Sequence, residues 1–118
     1  MGQTRTTREV FEDHLELRTR GQVETDIQRN YADDVVLIIN GKVLRGHDSI
    51  RHCAASLAHD ISDAEFIYRT KVVDGEIAYL EWGIDCDGVC IDDGVDTFLI
   101  RDGRIVAKTV HYTVTGKR

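Results

Sequence analysis

Helical spacing governs the first third of the chain. Val10, Phe11, Leu15 and Leu17 fall on one side of a predicted helix, with His14 among them. Thr6-Thr7-Arg8-Glu9 reads as a capping box at its start, and Gly21 is a natural stop at its end. Val23, Ile27 and Tyr31, spaced four apart, predict a short second helix whose last residue closes the stripe at a pocket mouth. Ala32-Asp33-Asp34 then breaks into a strand over Val35–Ile39. Asn40-Gly41 is a strong hairpin signal, and Lys42-Val43-Leu44 forms the returning arm. A third helix opens at Gly46-His47-Asp48 and carries the stripe Ile50, Cys53, Leu57 and Ile61.

From Ala64 onward the pattern changes to strands. Phe66–Val73, Ile77–Cys86, Val95–Arg101 and Ile105–Thr115 are separated by Asp-Gly pairs, which occur at 74, 87, 93 and 102. Long strands joined by tight turns predict an antiparallel, strongly bent sheet. The fold class is therefore α+β, with three helices in the N-terminal half and a curved, mixed or antiparallel sheet forming a cone around a pocket. Thr97, Lys108 and Glu81 only partly supply polar cover for the outer sheet face, so a homodimer through that face is expected.

The chain has 118 residues and reads as a single domain, 1–118, with no linker, repeat or low-complexity stretch. Fifteen Lys and Arg against 21 Asp and Glu give a formal charge of −6, which argues against a nucleic-acid partner because phosphate neutralisation needs clustered cations. There is no apolar run near ~18 residues and no apolar leader, so no membrane partner is expected and a cytoplasmic location is. The three cysteines then read as reduced thiols; Cys86 and Cys90 alone make a weak zinc signal. His52 and His59 are seven apart without a carboxylate spaced to join them, and Asp33-Asp34 reads as a turn, so no metal site is expected. No nucleophile elbow, phosphate loop or dinucleotide fingerprint is present.

Four segments carry a family resemblance: Gly21-Gln22-Val23-Glu24, Tyr31-Ala32-Asp33-Asp34-Val35, Leu44-Arg45-Gly46-His47-Asp48-Ser49-Ile50, and Asp96-Thr97-Phe98-Leu99-Ile100-Arg101-Asp102-Gly103-Arg104-Ile105. In this order the chain resembles the nuclear transport factor 2-like superfamily from about Val10 to Val114. Within it, the chain is similar to the SnoaL-like proteins, which include polyketide cyclases, and to ketosteroid isomerase. The resemblance implies action on a small hydrophobic ring compound inside the cone, without metal or organic cofactor; other members only bind ligands or protein partners. It implies an acid–base or oxyanion-hole role for Asp96, and sets His14 where the isomerase has its oxyanion-hole tyrosine. The isomerase's general-base position falls at Ile39, beside Asn40, so ketosteroid isomerisation itself is not implied.

The residues support a candidate site alongside that resemblance. His14 in an apolar stripe is an acid–base group, a hydrogen-bond donor to a ligand carbonyl and its developing oxyanion, or a core histidine satisfied by a backbone carbonyl. Asp96, if it faces the cone, is a carboxyl whose pKa burial would raise; otherwise it is a solvated strand end. A two-residue turn at Asp102-Gly103 pairs Arg101 with Arg104 and sets His111 on the face of Asp96. A one-residue bulge instead brings Val110, Tyr112 and Lys108 to that face. The expected catalytic group is Asp96 and His14 with Tyr112 or His111, and the expected ligand wall is Tyr31, Trp82, Phe98, Val110 and Ile39. Two functions stay open: an acid–base isomerase, cyclase or lyase, and a non-catalytic binding module of the same fold.

Overall fold

The computed structural model describes residues 4–60, 65–86 and 88–116, without the side chains of His59, Asp60 and Cys86. The readings that involve Ile61, Asp87 and those side chains fall outside it. Helix α1 covers Thr7–Thr19 and begins with the expected capping box: Thr6 Oγ1 accepts from the Glu9 amide at 3.1 Å, and Glu9 Oε1 accepts from the Thr6 amide at 2.7 Å. The chain leaves it through Gly21 at φ 72°, a left-handed conformation that suits glycine. Helix α2 runs over Val23–Asn30 and buries Asp26, Ile27 and Asn30. Tyr31 does not close this helix. It opens strand β1, Tyr31–Ile39, and lies fully buried beneath the cavity rather than at its mouth.

The Asn40-Gly41 turn returns the chain into β2, Lys42–Arg45, with both turn residues at positive φ. Helix α3 follows at His47–Asp60 and turns Ile50 and Leu57 to the core. Then come β3 (Phe66–Asp74), β4 (Ile77–Cys86), β5 (Val89–Arg101), β6 (Arg104–His111) and the short β7 (Thr115–Gly116). The sheet order is β2-β1-β6-β5-β4-β3, with β7 on β5. All pairings are antiparallel except β1 with β6, which makes the sheet mixed.

Asp93-Gly94 does not turn the chain; both residues lie inside β5. The register of β4 against β5 shifts between Trp82 and Ile84, and a Cβ on Gly94 would come within 2.4 Å of the Trp82 ring. Glycine here admits an aromatic ring, and local turn preference yields to pairing along the sheet. The Asp74-Gly75 turn also moves by one residue, since Asp74 pairs with Ile77.

One shift decides the candidate site. Arg101 pairs with Arg104 across the Asp102-Gly103 turn, yet Leu99 pairs with Ala107, so Val106 is an extra residue in β6. Asp96 consequently faces Val110. Lys108, expected to help cover the outer face, turns into the interior and is 9% exposed. His111 turns outward with its side chain 67% exposed, which corrects its place among the expected site residues. Bulges at this and other registers bend the sheet around the helices.

Candidate active site

Two polar groups face each other across an apolar cavity. Helix α1 supplies the first. His14 occupies its buried stripe, and Nδ1 lies 2.8 Å from Oδ2 of Asp26 on α2, both side chains being almost wholly buried. Asn30, one turn beyond Asp26, donates to its Oδ1 at 2.9 Å, and Asn30 Oδ1 in turn accepts from Arg5 at 2.8 Å. Burial works to raise the Asp26 carboxyl, but His14 and the Asn30 amide outweigh it and hold its pKa below the ordinary value. Burial pushes the imidazole below its ordinary value, against the upward pull of Asp26. At neutral pH the pair is therefore a carboxylate and a neutral imidazole. Asp26 accepts, so the ring proton sits on Nδ1 and the lone pair on Nε2. Among the described residues no buried side-chain nitrogen or oxygen lacks a partner. Nε2 has none, so it opens onto the cavity.

The sheet supplies the second group. Trp82 on β4 donates its indole N–H to Oδ1 of Asp96 on β5 at 2.9 Å. The indole can only donate, so this oxygen accepts. Lys108 on β6 sets its ammonium 3.9 Å from Oδ2 of Asp96 and donates to the Tyr31 hydroxyl oxygen at 3.1 Å. Burial opposes the charge on Lys108; the Tyr31 oxygen and the Asp96 carboxylate outweigh it and hold the ammonium's pKa above the usual lysine value. Burial pushes the Tyr31 hydroxyl up to about 12. His14 and Lys108 approach the same ring: the His14 and Phe98 centroids are 5.1 Å apart, and the Lys108 nitrogen is 5.2 Å from the Phe98 centroid.

The cavity holds about 640 Å³ of atom-free space including its open mouth, an upper bound on what it encloses. His14, Tyr31, Trp82, Asp96, Lys108, Val110 and Tyr112 all line it. Tyr112 stands 5.6 Å from Trp82 ring to ring and forms wall. Two expected wall residues do not reach the surface of the cavity. Phe98 shares the inner face of β5 with Asp96 but is fully buried under His14 and Phe11, and Ile39, two residues beyond the lining Leu37 on β1, packs half-buried against the core. Asp26 was not foreseen. The available signal was Asn30, which continues the Val23–Ile27 stripe at helical spacing and marks α2 as a helix with a polar buried end. Cys53 also lines the cavity, with its thiol pushed up by burial. Among the described residues no group of three His, Cys, Asp or Glu side chains could hold a metal ion, and no helix is long and apolar enough to cross a membrane.

Solved structures share this architecture. A candidate ketosteroid isomerase from Kribbella flavida superposes with a TM-score of 0.77 at 15% identity, over 98% of this chain and 84% of that one. A candidate SnoaL-like polyketide cyclase from Mesorhizobium loti gives 0.70 at 16% identity, over 92% and 100%. SalBIII, an epoxide hydrolase/cyclase-like enzyme of pyran ring formation in salinomycin, gives 0.75 at 15% identity, over 94% and 95%. At these identities the likeness is one of fold. No curated protein matches the chain in sequence. The family model of the SnoaL-like domain matches residues 11–108, from the Phe11 that packs on Phe98 to the Lys108 above the same ring, and the chain belongs to the SnoaL-like domain family.

Proposed function

We propose that the chain is an acid–base isomerase, cyclase or lyase acting on a small hydrophobic carbonyl compound. The observation that carries this reading is His14, a buried neutral imidazole tied at Nδ1 to Asp26 and open at Nε2 to an apolar cavity. Nε2 takes a proton from the carbon beside the carbonyl. Negative charge then develops on the carbonyl oxygen and faces the Lys108 ammonium, which Tyr31 and Asp96 hold in place. The imidazolium returns its proton to another carbon in an isomerase, or to a departing oxygen in a lyase. In a cyclase the enolate carbon closes a ring on a second carbonyl carbon, whose C–O π pair moves to its oxygen and takes the proton from the imidazolium. His14 is thus a base rather than a hydrogen-bond donor to the oxyanion, because Asp26 fixes its tautomer. Asp96 positions the ammonium and relays protons. The steps call for no metal or organic cofactor, and the candidate cyclase and candidate isomerase of similar fold are proteins whose named chemistry is of this kind.

The test is hydrogen–deuterium exchange beside the carbonyl of 2-tetralone in deuterium oxide, followed by NMR. The protein should exceed an equal concentration of free imidazole, and His14→Gln should lose about a hundredfold. Asp96→Asn should lose about tenfold. Exchange no faster than imidazole, or undiminished in His14→Gln, overturns the reading. A second reading, ligand binding without turnover, is favoured by one observation: Lys108, Asp96 and Trp82 already satisfy one another, as in a closed core. Binding of 2-tetralone without exchange would select it. Either reading includes a homodimer through the outer face of the sheet, where Val72 and Ile77 are 50% and 51% exposed. Sedimentation as a single chain at high micromolar concentration would rule the dimer out.

A further inference from the structure

We infer that the cavity takes a compound with an apolar body and an anionic end, a carboxylate, anchored by Arg18. This rests on the reading of the cavity as a ligand site and specifies what enters it. Arg18 lines the cavity, its guanidinium carbon 5.4 Å from the centroid of Phe66, another wall residue. A cation–π contact of this kind uses the charge of the guanidinium and none of its N–H donors, which are left for a bidentate anion.

Those donors are unused. Arg5, Arg29, Arg51 and Arg101 each bond a carboxylate or a backbone carbonyl. Arg18 has no such partner among the described residues, while the cavity's other cation, Lys108, already has Asp96 and Tyr31. The chain as a whole carries a formal charge of −6, which repels anions at long range. A local guanidinium on the wall reverses that sign where a ligand would enter.

The placement also fixes the ligand's orientation. His14 and Arg18 are four residues apart on α1, so they share one face with a rise of about 6 Å between them. The apolar body and reacting carbon lie towards His14, and the carboxylate lies one turn nearer the C-terminal end of α1. Burial is the main cause of the shifts at His14, Tyr31, Cys53 and Tyr68, downward at the imidazole and upward at the other three, and the positive charge of Arg18 adds a lesser downward pull at each. An anion docked on it cancels part of that field, so binding makes Nε2 of His14 a stronger base.

The experiment titrates isotope-labelled protein with 3-phenylpropanoate and with the neutral, isosteric 3-phenylpropanamide at neutral pH. The indole N–H resonance of Trp82 reports occupancy of the cavity. The unsubstituted protein should bind the acid about tenfold more tightly than the amide. Arg18→Gln, which keeps the stem over Phe66, should bring the two within about twofold, and Arg18→Lys should retain part of the preference. Equal affinities in the unsubstituted protein, or an undiminished preference in Arg18→Gln, overturn the anionic end and leave the apolar ligand site standing. If neither probe moves the Trp82 resonance at millimolar concentration, the ligand site fails and this inference with it. Unchanged resonances far from the cavity verify that each variant is folded.

Discussion

The two polar groups of the cavity are built by different means. On the helical side, His14 and Asp26 are held by a relay of side chains that passes through Asn30 to Arg5 near the surface. Asp26 also lines the cavity, but Nε2 is the imidazole nitrogen left open to it. On the sheet side, Asp96, Trp82, Lys108 and Tyr31 come from four strands and hold one another among aromatic rings. The helical group depends on residue identity at helical spacing. The sheet group depends on register, since one residue more or less in β6 would send Lys108 outward. Their electrostatics differ in the same way: burial drives the imidazole of the first below its ordinary value, whereas the second combines an ammonium with a hydroxyl whose pKa is raised to about 12.

The largest effect should come from breaking the helical pair. His14→Leu leaves a buried carboxylate without its main partner and should cost about 3–5 kcal/mol in urea unfolding. The double variant His14→Leu/Asp26→Leu should recover much of that loss, because replacing both partners of a buried hydrogen bond by apolar side chains is often close to neutral. A double variant as unstable as the single one would contradict this account of the pair.

A smaller effect should follow from disturbing the sheet side through its backbone. Gly94→Ala sets a methyl 2.4 Å from the Trp82 indole, which must shift and release Asp96. The expected cost is about 1–3 kcal/mol, with a changed Trp82 fluorescence and an unaltered His14 resonance. Movement of both would mean that the two groups are coupled more tightly than their separate networks imply.

The smallest effect is a pH dependence that separates the two sides. Above its ordinary value near 6.5, His14 is neutral in the folded and the unfolded chain, and its contribution is fully present. As pH falls below that value, the unfolded chain takes up a proton that the folded chain refuses, so stability declines. The slope attributable to His14 should not exceed about 1.4 kcal/mol per pH unit, measured between roughly pH 7.5 and 5.5. It should vanish in His14→Gln and persist in Asp96→Asn.

Legibility in the sequence followed the same divide. The α1 capping box and the Asn40-Gly41 and Asp102-Gly103 turns are local devices, and each stands where it was expected. Asp93-Gly94 carries the same local signal but lies inside β5, because strand pairing on either side and the Trp82 ring above it outweigh a turn preference. His14 could be assigned to the interior from helical periodicity alone, but its partner could not. Asp26 reaches it only because α2 folds back against α1. On β6 the residues left two registers open, and the extra Val106 selected the one that turns Tyr112 inward and His111 outward.

The sequence by itself therefore determined the elements, their order and the family, since capping, turn chemistry and hydrophobic period act over a few residues. The tertiary structure decided which polar side chains meet. Register and helix docking are settled by the packing of the whole core, and a single unpaired residue between two strands changes the face on which every later side chain stands.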